Sequence, residues 1–575
     1  MTLNEALGAI NRSRKNAAQR AIFLVCGFQP LHLSTFFQAH ATERLQGDLA
    51  EVSTGLYGDL PGNLESARGS KATAAAVVLE WGDIDPRLGL RASGGWSDTV
   101  KRDIEKNCEE RYARVAALVE QLAANMPVAL AGPSLPLPPL GHTVRRQASP
   151  FDLALRRQTA AFLQRMSVAG VRVVDLAWLD AASPAAGRMD VKMALIADFP
   201  YSLSHADAIA SALVDLLYPA VPKKGLVVDL DNTLWDGILG EVGVEGISWC
   251  QERHTQVHAL LQQMLGQLAE NGVLLAISSK NQPERVEQAL ARSDLLVPRE
   301  AFFPVVADWG PKSQAMRGIL SAWNIGPDSV VYLDDTPMEL SEVQAAYPDV
   351  TCLRFNAKDP RAVWEILLQL RDLFGRPAVF AEDRLRAASI RSGTAFRELE
   401  QREASGAFLH GLEGVVSISY RKEPSDKRPF DLINKTNQFN LNGLRLAEGE
   451  WLARLRTAGS IALTASYEDK FGPLGKIAAL LGERQGRRIH VTSWVMSCRA
   501  FSRRIEYHTL ESLFRVSGAE ELSFDYRPTE RNQPFQQFFH EIGASACDSG
   551  RMRLSQQEFS QGQYELPHQL TESLQ

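Results

Sequence analysis

The feature that most constrains this chain is a series of short apolar runs that stop abruptly in polar residues, spaced by longer amphipathic stretches, through about residue 375. Such runs read as buried strands, and strands alternating with helix-length stretches build parallel sheets. In the first part the strand candidates are "AIFLVCGF" (21–28), "AAAVVLEW" (74–81), "VALAG" (128–132) and "VRVVDL" (171–176). Residues 99–125 read as a helix, with apolar positions at Val115, Leu118 and Leu122. Val221-Pro222, followed by Lys223 and Lys224, marks a boundary before a second series. That series comprises "GLVVDLDNTLWDG" (225–237), "VLLAISSKN" (273–281), "VVYLDD" (330–335) and "VTCLRF" (350–355).

After charged helices over 382–410, strands dominate: "VVSISYR" (415–421), "SIALTASYED" (460–469), "KIAALLG" (476–482) and "RIHVTSWVMS" (488–497). The pattern predicts an α/β chain of three domains, 1–222, 223–380 and 381–575, the last α+β. The Gln- and Ser-rich tail after 546 reads as partly disordered.

Composition excludes some classes of function. The 62 Lys and Arg against 68 Asp and Glu give a net charge of −6, which argues against a general nucleic-acid binder. Six cysteines, at 26, 108, 250, 352, 498 and 547, form no CxxC pair, which points to the cytoplasm. The apolar run 21–25 is too short for a signal-peptide core, and no stretch approaches the ~18 apolar residues of a membrane span.

"VVDLDNTLWDG" carries the most chemistry. Asp229 and Asp231 stand two apart at a strand end, so alternation puts them on one face. Crowded carboxylates repel and call for a cation, most naturally Mg²⁺ with its oxygen ligands. Asp-Asn-Thr is also ordinary turn chemistry. Ser278-Ser279 close the next strand, Lys312 follows "DWGP", and Asp334-Asp335 end a third. Two acidic pairs, a hydroxyl and a lysine at successive strand ends are what phosphoryl transfer requires.

On these residues the chain resembles the haloacid dehalogenase superfamily, with its DxDxT, Ser/Thr, Lys and late acidic motifs. The resemblance implies a Rossmann-like core with Asp229 as nucleophile and Asp231 as general acid/base. Ser279, in preference to Ser278, would bind phosphate, and Lys312 would steady the intermediate. Asp229, Asp334 and Asp335, with the backbone carbonyl of Asp231, would hold Mg²⁺.

"DLDNTLWDGILGEVGVEGI", "SSKNQPE" and "KTNQFNLNG" are more specific, and are similar to the FkbH-like proteins of polyketide pathways. That likeness implies transfer of a glyceryl group from 1,3-bisphosphoglycerate to the phosphopantetheine thiol of an acyl carrier protein. A small-metabolite phosphohydrolase and a catalytically reduced docking adaptor are the alternatives. Ser278 stands where that family generally carries Cys. Cys250 is a possible substitute acyl carrier, against the reading of a buried inert thiol. The glycine-punctuated segment 237–246 reads as a lid or a specificity hairpin.

The C-terminal region resembles an N-acyltransferase-like domain through "EDKFGPLGKIAAL" and "WVMSCRAFSRRIEYHTL". Its phosphate-cradling turn would fall at 499–504, with Arg499, Arg503 and Arg504 as cofactor-binding candidates for a pantetheine phosphate. Asn437, Gln438 and Asn440 are polar candidates for substrate. The N-terminal region resembles an SGNH-hydrolase-like fold but carries Cys26-Gly27 where a nucleophilic serine is needed. Asp198 and His205 stand seven positions apart instead of three, and His205 reads as a surface or capping residue. A degenerate docking domain is expected.

Overall fold

The computed structural model describes residues 1–13, 19–45, 49–92, 94–141, 143–376, 379–386, 390–391, 409–546 and 551–574. The chain forms two compact units, Met1–Ala220 with Leu446–Arg456, and Val221–Arg445 with Thr457–Gln575.

The first unit is built on five strands: β1 (Gln19–Val25), β2 (Leu49–Thr54), β3 (Ala74–Val78), β4 (Val128–Ala131) and β5 (Arg172–Val173). They pair in parallel in the order β2-β1-β3-β4-β5. Every residue of β3 and β4 is buried, as continuous apolar runs in a sheet covered on both faces must be. The helix Asp98–Ala123 covers one face, its start capped by the Ser97 hydroxyl accepting from Val100 N–H. The helix Glu448–Arg456 also packs in this unit, although its sequence position assigns it to the C-terminal region. Its acids decide the matter. Glu448 and Glu450 pair with Arg172 and Arg20, and Gly449 leaves no room for a side chain beside the Thr73 carbonyl.

The second unit opens with β6 (Gly225–Val228), β7 (Leu274–Ser279), β8 (Phe302–Ala307), β9 (Val330–Asp334) and β10 (Thr351–Arg354). This sheet is parallel, in the order β10-β9-β6-β7-β8, with apolar clusters on both faces. It is a Rossmann-like core whose chain direction reverses beside β6. An open sheet of this kind presents ligands at the carboxyl ends of its strands, next to that reversal.

A third, mixed sheet of nine strands follows in the same unit. Its long central strands are β13 (Ser460–Asp469), β14 (Gly472–Gln485) and β15 (Arg488–Met496), preceded by β11 (Val415–Ser419) and β12 (Phe439–Asn440). The helix Ile505–Ser517 links β15 to the parallel β16 (Glu521–Phe524). Residues 551–574 of the tail carry regular structure. After β17 (Ser545–Ala546), β18 (Met552–Ser555) pairs with β16, and β19 (Gln569–Ser573) lies parallel to β11. The sheet edge supplies backbone partners that a Gln-rich composition does not advertise. Of the charged stretch 382–410, residues 387–389 and 392–408 lie outside the described residues, as does Cys547. Among the described residues, no helix is long and apolar enough to cross a membrane.

Candidate functional site

Asp229 follows β6 directly and continues its ladder, its N–H donating to the Leu333 carbonyl at 3.0 Å. Lys312, the first residue of the helix Lys312–Trp323, reaches the same point and is 2% exposed. Its Nζ donates to Asp229 Oδ1 at 2.5 Å and to the Ser278 carbonyl at 2.6 Å. It also stands 3.6 Å from Asp334 Oδ2 and 3.2 Å from Glu339 Oε2. Asp334, at the end of β9, accepts from the Tyr332 hydroxyl at 2.6 Å and from Thr336 N–H at 2.8 Å.

Carboxylate oxygens of Asp229, Asp334 and Glu339 converge within 4.8 Å of one another. Asp231 and Asp335, expected beside Asp229 and Asp334, do not join that side-chain group. The Asp231 carboxylate accepts from Trp235 Nε1 at 3.1 Å, Leu239 N–H at 3.0 Å and Asn281 Nδ2 at 2.9 Å. Its role in the expected set is through its backbone carbonyl, so the two descriptions concern different atoms. Asp335 is half-buried and accepts from the Thr336 hydroxyl at 3.0 Å.

Glu339 is the residue the sequence reading missed. It lies in the first turn of the helix Pro337–Ala346, which starts straight after β9 and so folds back over the strand end. An acid in the first turn of a helix that follows an acidic strand end is the signal that would have found it.

Electrostatics explain how the group holds together. Burial pushes the Asp229 carboxyl well above the usual carboxylate range, and Asp334 and Asp231 add to this while Lys312 opposes it. Burial raises Asp334 as well. For Lys312 burial works against the charge, but Asp229, Asp334 and Glu339 outweigh it and raise its pKa. Glu339 is held low because Lys312 and Lys280 overcome the effect of burial. Lys312 touches all three carboxylates and Lys280 reaches Glu339 at 2.9 Å, so three carboxylates outnumber two ammoniums, and every carboxylate ligand atom is oxygen. That excess of negative charge on hard ligands fits a cation such as Mg²⁺.

The serines divide as strand alternation requires. Ser279 Oγ accepts from Asn281 Nδ2 at 3.0 Å, and so shares that amide with Asp231. Ser278 Oγ is buried with no hydrogen-bond partner among the described residues. Cys250 is partly exposed, contrary to the buried thiol expected, with its sulfur 3.4 Å from Ser248 Oγ. The glycine-rich segment 237–246 is pinned at its base by the Asp236–Ser248 bridge and contains the one-turn helix Leu239–Val242. Leu239 N–H donates to Asp231 (3.0 Å), which ties this segment to the strand end.

The three arginines expected to form one cradle diverge. Arg503 is buried against Asp469, with Nε 3.1 Å from Oδ2. Arg504 caps the helix Ile505–Ser517 in the left-handed region (φ 54°) and donates to the Glu565 carbonyl. Arg499 faces a separate cavity with Gln438 and Asn437. The acid ending β13 captures the middle arginine and splits the set. Asn440 is spent on its own turn, accepting from Asn442 and Gly443 N–H.

In the first unit a cavity of about 910 Å³ opens at the carboxyl ends of β1 and β3, lined among others by Gly27, Asp83, Arg111 and Asp198. Cys26 donates to the Phe28 carbonyl, and burial drives its thiol pKa up, so it is no nucleophile. His205 is fully buried between the Ser134 and Ser183 hydroxyls, each at 2.9 Å, not on the surface. Burial lowers its pKa to about 3. It lies on the helix Leu203–Leu217, and packing turns that face inward.

No protein-family model and no curated protein matches the chain. Among solved structures it is similar to the crystal structure of the N-terminal part of the protein BF1531 from Bacteroides fragilis, containing a phosphatase domain complexed with Mg. Identity is 18% and the TM-score 0.49, over 66% of this chain and 100% of that one.

Proposed function

We propose that this chain is a Mg²⁺-dependent enzyme of the haloacid dehalogenase type that acts on a small phosphorylated substrate. The finer reading is that it moves a glyceryl-type acyl group from 1,3-bisphosphoglycerate to the phosphopantetheine thiol of an acyl carrier protein. The observation that carries the enzyme reading is the convergence of Asp229, Asp334 and Glu339 on Lys312 at the reversal point of a parallel sheet. The motif likeness supports the acyl acceptor and donor.

Asp229, Asp334 and Glu339 would hold the cation, which when bound offsets the repulsion between carboxylate and phosphate. Lys312 and the Ser279 hydroxyl bind phosphoryl oxygens. In phosphate removal the Asp229 oxygen attacks phosphorus, the bond to the leaving oxygen breaks, and Asp231 gives that oxygen its proton. Water then attacks phosphorus, gives its proton to Asp231, and the Asp229 oxygen–phosphorus bond breaks to free phosphate. In acyl transfer the thiol attacks the carbonyl carbon, the bond to phosphate breaks, and Asp231 takes the thiol proton. Three N–H donors hold the Asp231 carboxylate in place for either role. The first unit serves docking, since its strand end offers no serine.

The test is to incubate the protein with Mg²⁺, 1,3-bisphosphoglycerate and a phosphopantetheinylated carrier, and to weigh the carrier by mass spectrometry. A glyceryl increment is expected. Phosphate release without it would leave the phosphohydrolase, which the partnerless, uncoupled Ser278 hydroxyl favours. No turnover, in the wild type and in Asp229→Asn alike, would overturn both and leave the docking adaptor.

A further inference from the structure

A second cavity in the second unit, of about 90 Å³, lies at the opposite end of the Rossmann-like sheet. Lys224 lines it and immediately precedes β6, whereas Asp229 immediately follows β6. Five steps of extended chain at ~3.3 Å each put about 16 Å between them. Likewise Trp323 and Asn324, at the end of the helix that begins with Lys312, form part of the wall. The rest comes from Arg386, from the helix Arg428–Lys435 with the Asn437-Gln438 turn after it, and from Arg499.

Among the described residues, the wall carries more positive charge than is neutralised. Lys224, Arg386, Arg428, Lys435 and Arg499 line it with a single carboxylate, Asp431. Asp431 is committed to Arg428 at 2.8 Å and Lys435 at 2.5 Å. Asp383, behind the wall, is shared by Arg386 at 2.5 Å, Arg376 at 3.3 Å and Arg428 at 3.9 Å. Six cations therefore face two carboxylates. Among the described residues, neither Arg499 nor Lys224 has a carboxylate within ion-pair distance. Arg499 finds only two long contacts, to the Glu382 carbonyl and Ser497 Oγ, both 3.5 Å. The buried Arg428 Nε has no hydrogen-bond partner, and neither has Gln438 Oε1, whose amide becomes a donor on rotation. Burial, with Arg386 adding its charge, lowers Lys224 to about 8 and Arg499 to about 9.

Partly buried like charges are destabilising unless something of opposite sign sits among them. At about 90 Å³ the cavity has room for a tetrahedral oxyanion. Planar guanidinium forks with unused N–H groups suit phosphate oxygens. We propose that this cavity is a phosphate-binding site, distinct from the carboxylate site, which takes inorganic phosphate or the phosphate of a monoester among Arg386, Arg428, Arg499 and Lys224. It does not rest on the function proposed above.

The test is thermal unfolding and calorimetric titration of the full chain with inorganic phosphate, in EDTA at constant ionic strength. Phosphate is expected to raise the Tm of the wild type and of Asp229→Asn alike, and Arg499→Gln should bind it at least about tenfold more weakly. Without phosphate, Arg499→Gln should melt no lower than the wild type, because it removes surplus charge. Lys224→Gln, a second variant, should behave the same way. Undiminished binding in both cavity variants overturns the proposal. So does loss of binding in Asp229→Asn, which would put phosphate at the carboxylates. Lower phosphate-free melting of both cavity variants would make these cations structural and overturn it too. Phosphopantetheine separates the two sources. Tighter binding than phosphate assigns the site to a phosphate on an organic arm, and equal binding assigns it to phosphate itself.

Discussion

Replacing Lys312 by Met tests the charge balance of the carboxylate site most directly. The side chain is 2% exposed and its Nζ is, among the described residues, the one cation in contact with Asp229, Asp334 and Glu339 together, at 2.5, 3.6 and 3.2 Å. Methionine keeps most of the volume, so packing changes little. What remains is three carboxylates within 4.8 Å, with Lys280, 2.9 Å from Glu339, as the counter-charge left among the described residues. Removing one partner of a buried pair costs about 3–5 kcal/mol, and the carboxylates can recover part of that by taking up protons. Their folded pKa values would then stand above the unfolded ones, so the stability they contribute is full at low pH and lost as pH rises.

The assay is urea unfolding of Lys312→Met and wild type at several pH values, with and without Mg²⁺. Without the metal the variant should lose about 3–5 kcal/mol near neutrality and progressively less toward acid. Bound Mg²⁺ should return part of the loss, about 2.7 kcal/mol at a hundred times its Kd. A variant as stable as the wild type at neutral pH, or one that Mg²⁺ leaves unchanged, would refute the reasoning.

Three further outcomes follow from particular contacts. Glu339→Gln should weaken Mg²⁺ binding, measured by calorimetry, by about tenfold or more, whereas Asp335→Asn, outside the converging group, should cost less. Protonation of His205, held near pKa 3 by burial, is favoured in the unfolded chain below pH ~6.5, so the stability of the first unit should fall as pH drops through 6 and 5. Near pH 5 this amounts to about 2 kcal/mol, and His205→Asn should flatten the dependence in urea titrations. Arg503→Gln leaves the buried Asp469 unpaired and should lower unfolding stability by about 3 kcal/mol. A loss below 1 kcal/mol would return Arg503 to the pool of ligand-binding candidates.

Local pattern alone was enough for β6, β7 and β9, because a fully buried parallel strand is a continuous apolar run and its end is marked by the first polar residues. The same logic placed Asp229, Ser279, Lys312 and Asp334 at element ends. In the two parallel sheets the strands that escaped notice, β2 and β8, are both sheet edges. β8 carries Pro304, and its residues after Phe302 are only partly buried, so its pattern is diluted. An acid in the first helical turn marks Glu339 as a candidate beside Asp335, but which of the two turns inward depends on how the helix Pro337–Ala346 folds over β9.

The basic cavity is the extreme case. Lys224, Arg386, Arg428 and Arg499 are separated by up to 275 residues and meet only where strands and helices bring them together. Periodicity within ten residues determined what each segment is. Which charges face one another, and which stay unpaired, was decided by packing between segments far apart in the chain, since charge acts through space and not along sequence.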